Sequence, residues 1–342
     1  MIMPTFSSTM VRKLRLLGSA VVIGTLAVTV ALNPDAAVAQ TAAPVTVTAA
    51  VIGVSISIWP AIVANEKHFF EEEGIKLDIV SAGASARALQ QVAAGVAQVG
   101  SSSMVDTIRA IDAGAEVKIF TNSLAVATHS LLASKDIRSV EDLKGKRVMT
   151  GGQGDITNIW WKAMAKHYGL DPEKDVQLLY SGSSGSRMSA LLAGGVDATI
   201  LSTPQSFKAA QEGMTDLGPV APFLGEFPMM IWHVNDDWAK KNEKLLIAFI
   251  RAHNKAVRYM SDPAHRQEVS EMLAKASNSG LDDALKSWDI SMKVHSFVPD
   301  GAITASTVDR VTENLLESGD IKPPAKPAST YYDGRYVQSV GK

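Results

Sequence analysis

Apolar and polar positions along this chain follow two periods that take turns. Residues 45–52 alternate as a strand, and Pro60 opens a helix running to Phe70, since Pro suits the first helical turn. Gly74 stops that helix, and residues 75–80 form a second strand. A helix and a third strand reach to Gly100, residues 103–113 are helical up to Gly114, and 117–121 form a fourth strand. Residues 129–134 are apolar and cross toward a second lobe. Residues 139–142 start a helix, 147–150 form a strand, and Gly151-Gly152-Gln153-Gly154-Asp155 make a tight turn. Ile156, Ile159, Trp160, Ala163, Met164 and His167 then mark one helical face. Residues 176–180 are a strand and 229–234 a return strand. From Asp236 the pattern is helical, over 244–260, 265–276, 281–295 and 304–318. Pro323, Pro324, Pro327 and Gly334 make the end a loop-like tail. Strands alternating with helices at this spacing predict an α/β protein with mostly parallel sheets.

Two stretches repeat at an offset of one hundred residues, matching Arg87 with Arg187, Ala93 with Ala193, Gly95 with Gly195, Val96 with Val196 and Ser102 with Ser202. Each copy is a Ser/Gly turn, an Ala-rich helix, a Gly stop and a short apolar strand. Two copies are too few for a solenoid, which needs about three. They predict two similar lobes facing each other, with a ligand cleft between them. Residues 40–128 and 229–320 would form the first lobe, 129–228 the second, and 321–342 the tail.

The amino-terminal segment changes what the composition means. Arg12, Lys13 and Arg15 precede an apolar run over 16–32, Asn33-Pro34 breaks it, and Ala37-Val38-Ala39 is an A-x-A cleavage site. Residues 1–39 are therefore expected to be a cleaved secretory signal, which points to the periplasm. Its removal takes away three basic residues and Asp35, leaving 30 basic against 34 acidic residues, a balance of −4. That gives no reason to expect a nucleic-acid partner. The chain has no cysteine, which excludes thiol nucleophiles, thiolate metal sites and a lipidated cysteine.

Candidate chemistry lies in the strand-to-helix turns, where ligands of open α/β sheets bind. Ser57, Ala84-Ser85, Gly151–Gly154 and Ser181-Gly182-Ser183 are such turns. Asp155 reads first as a helix N-cap, with a cleft carboxylate that would welcome an amine or amidine as the alternative. Trp59, in the first such turn, is expected to face the cleft, while Trp232 on an apolar strand could serve cleft or core. Trp160 reads as core, and Arg87 and Arg187 as scaffold. The seven histidines have no paired ligand spacing, so neither a metal nor a cofactor is expected.

Three segments carry a family resemblance together: Pro60-Ala61-Ile62-Val63-Ala64-Asn65-Glu66-Lys67-His68-Phe69-Phe70-Glu71-Glu72-Glu73-Gly74-Ile75, Leu143-Lys144-Gly145-Lys146-Arg147-Val148, and Leu191-Leu192-Ala193-Gly194-Gly195-Val196-Asp197-Ala198. The chain resembles the periplasmic substrate-binding proteins of ABC importers for sulfonates, taurine, nitrate and thiamine precursors. The resemblance implies a two-lobed type II periplasmic binding protein fold, with the lobes joined by two hinge strands. It also implies a monomer that closes on a small organic solute and docks on a permease with its ATPase. The solute could be a sulfonate, an aromatic or pyrimidine-like compound, or an amine. By position, the implied contacts are Ser57, Trp59, Ala84, Ser85, Ser102, Ser103, Asn122, Gly152, Gln153, Asp155, Ser181, Gly182 and Ser202, with Trp232 beside them. Two departures stand out. An acid common in the family is replaced in Gly95-Val96-Ala97-Gln98 while Asp197 keeps it, and the cysteine-rich motif of the pyrimidine-making enzymes is missing. The expectation is a binding protein rather than an enzyme, with a sensor that presents its solute to a receptor as an alternative.

Overall fold

A computed structural model describes residues 43–223, 229–317 and 319–340. The signal expected over 1–39 lies outside the described residues. In the first part, short strands alternate with helices: β1 (Val45–Val51), α1 (Trp59–Glu66), α2 (Phe69–Glu72), β2 (Ile75–Ser81), α3 (Ser85–Ala93), β3 (Val99–Ser103), α4 (Met104–Asp112) and β4 (Val117–Leu124). The second part holds β5 (His129–Ala133), β6 (Arg147–Thr150), α5 (Ile156–His167), β7 (Gln177–Tyr180), α6 (Ser184–Leu192), β8 (Ala198–Ser202), α7 (Gln205–Gln211) and β9 (Thr215–Pro219). β10 (Met230–Asn235) leads into α8 (Asp236–Lys241), α9 (Glu243–Ser261), α10 (Arg266–Ser277), α11 (Leu281–Lys293), α12 (Ala305–Glu317) and α13 (Arg335–Gln338).

Two five-stranded sheets result, in the orders β2-β1-β3-β10-β4 and β7-β6-β8-β5-β9. Each defines a lobe. In each, the one strand running against the rest is the first after the crossover from the other lobe, β10 in the first and β5 in the second. β3 and β8 are buried along their whole lengths, as expected of strands covered on both faces. One crossing between lobes is the short segment 125–128 rather than a hinge strand; the other passes through 220–229, where 224–228 lie outside the described residues.

The repeat is real in three dimensions, but its register is ninety-nine residues. β3 starts at Val99 and β8 at Ala198; α3 starts at Ser85 and α6 at Ser184. The helix-starting serine accepts from the strand end in both copies, Ser103 N to Ser85 Oγ at 3.3 Å and Ser202 N to Ser184 Oγ at 3.2 Å. The same register aligns Gln98 with Asp197. Gln98 Oε1 accepts from Thr48 N at 2.8 Å, and Asp197 Oδ2 accepts from Arg147 N at 2.8 Å. The acid missing from the first copy is thus a structural acceptor, and a neutral amide serves as well. Asp197 also pairs with the Arg147 guanidinium at 2.7 Å.

Other expectations shift. The helix from Pro60 breaks at His68, which adopts a left-handed backbone at φ 59°. Residues 139–142 give only a short turn, Glu141–Leu143. The tail docks on the first lobe: Tyr331 and Tyr336 are buried, Ile119 N donates to Tyr331 O at 2.9 Å, and Lys326 pairs with Asp112 at 2.8 Å. Among the described residues no helix is long and apolar enough to cross a membrane.

Candidate functional site

The carboxyl ends of β1, β2 and β3 in the first lobe face those of β6 and β7 in the second, enclosing a cleft of about 720 Å³. This is the size of a cavity for a small organic molecule. The lobes touch at its rim. A methyl group on Gly182 would lie 2.0 Å from the Gly83 carbonyl oxygen and 2.7 Å from Ala84 Cβ, so only glycine permits this approach.

Of the residues expected to bind ligand, Ser57, Ala84, Ser85, Ser103, Gly152, Gln153, Asp155, Gly182 and Ser202 line the cleft. Ser57 hydrogen-bonds Ser55 through their hydroxyls at 2.9 Å. Five expectations are corrected in placement. Trp59 is fully buried at the start of α1, its Nε1 donating to Val269 O at 2.9 Å and its ring edge-on to Phe297. α1 packs against α9 and α10, so its first residue turns into that interface and away from the cleft. Trp232 is fully buried against Phe249, with centroids 5.1 Å apart. Ser102 is sealed beneath the cleft wall, its Oγ 2.9 Å from His233 Nε2. Asn122 is buried on β4, with its N–H on Gly301 O. Ser181 lies behind the lining, its carbonyl accepting from Arg187 at 3.0 Å.

The cleft also holds residues that the turns did not suggest: Asp106, Arg109, His129, Thr157 and Arg187. Asp106 had a legible signal, because Ser103-x-x-Asp106 has the spacing of a helix start, and Ser103 caps α4. Ser103 Oγ accepts from Asp106 N at 3.1 Å and donates to Asp106 Oδ2 at 2.7 Å. Arg109 donates to Asp106 Oδ1 at 3.2 Å and pairs with Asp320 at 3.4 Å. Its guanidinium lies against Gly154 of the other lobe.

Arg187 was masked by the one-residue slip in register. At an offset of one hundred it matches the exposed Arg87; in the structure it replaces the buried Ala88. It is 2% exposed and braces the turn ahead of its helix. Nε donates to Ile200 O at 3.0 Å, Nη1 to Ser181 O at 3.0 Å and Gly182 O at 2.6 Å, and Nη2 to Ser184 Oγ at 3.2 Å. Burial lowers its pKa to about 10, with Asp155 acting the other way.

Asp155 does cap α5: Oδ1 accepts from Asn158 N at 2.9 Å and Thr157 Oγ1 at 2.8 Å. Thr157 Oγ1 in turn accepts from Gly151 N at 2.7 Å. Oδ2 packs over Gly151, where a Cβ would sit 1.8 Å away, which is why residue 151 carries no side chain. Cap and cleft carboxylate are therefore one residue. Burial raises the pKa of Asp155, against the pull of Arg187. Burial also raises that of Asp106, and the charge of Asp155 adds to the shift. His129, at the start of β5, lies over Trp160 at 5.1 Å. Burial and the nearby Arg187 charge lower its pKa to about 3, so it is neutral at physiological pH. Among the described residues no cluster of three or more His, Asp or Glu could hold a metal.

This architecture is the two-lobed fold of periplasmic binding proteins. The alkanesulfonate-binding protein SsuA of Xanthomonas axonopodis pv. citri, bound to MOPS, superposes with a TM-score of 0.70 at 17% identity, over 85% of this chain and 99% of that one. Residues 55–266 match the family described as NMT1/THI5 like, and the chain belongs to that family. YtlA of Bacillus subtilis, named as a binding protein, is 24% identical over 275 residues, covering 78% of this chain and 81% of its own. The 4-amino-5-hydroxymethyl-2-methylpyrimidine phosphate synthase of Uromyces fabae is 27% identical over 214 residues, 56% of this chain and 60% of that enzyme.

Proposed function

We propose that this chain is a periplasmic solute-binding protein that captures a small organic solute between its lobes and delivers it, as a monomer, to the permease of an ABC importer and its ATPase. The observation that carries this reading is the cleft itself, of about 720 Å³, lined from both lobes and closed at the Gly83–Gly182 contact. A ligand bound on one lobe and touched by the other shifts the protein toward closure by its preference for the closed form. Ser57, Ala84, Ser85, Ser103, Gly152, Gln153, Asp155, Gly182 and Ser202 are the contacts retained in this reading, joined by Asp106, Thr157 and His129. Native mass spectrometry of the purified protein, followed by calorimetry with the released compound, tests it. A bound solute recovered unchanged, with one site per chain, supports the reading; conversion of that compound on incubation overturns it.

The enzyme reading draws on the Uromyces relative, whose name is that of a synthase. The Ser102–His233 pair offers no nucleophile for it. Both residues are fully buried, and among the described residues His233 Nδ1 has no partner to orient it as a base.

A further inference from the structure

The Arg187 guanidinium in the cleft wall is held by the protein, while one oxygen of the facing Asp155 carboxylate is open. Four bonds from Arg187 go to backbone carbonyls and a serine. Arg109 is held by Asp106 and Asp320. Arg187 is spent on the protein, while Arg109 keeps a buried Nε without a partner among the described residues. By contrast, Asp155 Oδ2 has no hydrogen-bond partner among the described residues, and Asp106, whose two oxygens accept from Arg109 and Ser103, reaches the same cavity from the opposite lobe. His129 adds an imidazole that is 6% exposed at the cavity wall, with its Nδ1 unpartnered among the described residues. Held neutral, it can offer a nitrogen lone pair. Two carboxylates, Asp106 and Asp155, and two guanidiniums, Arg109 and Arg187, line the cavity.

We infer that the cleft takes a solute with a cationic, N–H-rich group, an amine or amidine, which bridges Asp106 of the first lobe and Asp155 of the second and supplies the charge that lets the lobes close. This rests on the solute-binding reading and specifies its ligand class. Closure brings two carboxylates toward each other in a cavity shielded from water, where their repulsion is strong. An amidinium between them turns that repulsion into two charge-assisted hydrogen bonds. Without a cation, the remaining route is to take up a proton. Asp106 faces Arg109 on its own helix, Ser103 and Ser85 beside it, and Asp155 across the gap. Asp155 faces Arg187 and the α5 amino terminus. Both carboxylates hold a proton more tightly than a free carboxylate, chiefly through burial; if opening hydrates them, the ligand-free protein should close more readily as pH falls toward the carboxylate range.

The cysteine-free chain suits a direct test. Val96→Cys and Leu192→Cys, at exposed positions of the two lobes, carry a fluorophore pair that reports lobe separation. Benzamidine and benzoate serve as matched probes of opposite charge. The expected results are that ligand-free protein opens as pH rises from 4.5 to 8, and that at pH 8 benzamidine closes it while benzoate does not. Asp155→Asn keeps the helix cap, and Asp106→Asn keeps the Ser103 contact. Each should close without ligand at pH 8 and bind benzamidine roughly ten- to a hundredfold more weakly. Closure by benzoate alone, or Asn variants that match the unsubstituted protein, would overturn the cation inference and leave the solute-binding reading standing. A lobe separation that ignores pH and both probes would likewise overturn the cation inference, and the solute-binding reading falls only with the mass-spectrometric test above.

Discussion

At the scale of single residues, two side chains carry consequences opposite to their first appearance. Trp59 was expected at the cleft, yet it fills the interface between α1 and the carboxyl-terminal helices. Trp59→Ala should therefore lower stability by about 3–5 kcal/mol, through lost burial and the cavity left behind. Solute affinity per folded molecule should be unchanged; urea denaturation and calorimetry separate the two. Arg187 was expected as scaffold, and it is scaffold of an unusual kind, a buried cation inside the cleft wall. Arg187→Met strips several backbone carbonyls of their donor. Each carbonyl left dry costs about 1–3 kcal/mol, so a loss of several kcal/mol is expected in the same denaturation experiment, with weaker solute binding because the 181–184 turn loses its brace.

Among elements, the repeated helix–strand unit shows which features hold the fold and which face the ligand. Gln98 and Asp197 latch the equivalent strands, β1 and β6. Gln98→Ala should cost about 1–3 kcal/mol by orphaning Thr48 N, whereas Gln98→Asp should restore most of that loss; thermal melts of the pair read this directly. Ser183 caps α6, accepting from Ser186 N at 3.1 Å. Ser183→Ala should cost about 1 kcal/mol, the usual worth of such a cap. Hydrophobic period and punctuating glycines placed most of these elements correctly, since they depend on local contacts. The break at His68 was missed because no Gly or Pro marks it, and the edge strand β9 because Gly218 and Pro219 within it read as a turn rather than a strand.

For the whole molecule, pH and closure are the sensitive variables. His129 and His233 are buried with pKa values lowered to about 3, and His253 to about 4, chiefly by desolvation. Unfolded, each would titrate near 6.5. The unfolded chain therefore binds more protons than the native one below that pH, and stability should fall as pH drops from about 6.5 toward 4. Asp106 and Asp155, raised in the fold, act in the opposite sense from the carboxylate range upward and partly offset the loss. Urea midpoints at pH 7.5, 6 and 5 should decline in that order, and His233→Gln should flatten the slope. Gly182→Val should leave the melting temperature of the ligand-free protein nearly unchanged, because the lobes can sit apart. It should abolish tight binding, because the side chain meets the Gly83 carbonyl before the lobes meet; calorimetry on that variant checks the point.

Periodicity, glycine stops and the internal repeat were enough to determine an α/β protein with two related lobes and a cleft at the ends of their strands. All of these are local signals, or copies of a local signal. Only the tertiary structure decided which side chains meet across the gap. The repeat read at one hundred residues matched two arginines by identity, but backbone hydrogen bonding set the register at ninety-nine and carried Arg187 inward. It also buried both tryptophans expected at the cleft and brought Asp106 toward Asp155. Facing of that kind depends on how helices pack on sheets and how the two lobes meet, and no stretch of chain encodes it alone.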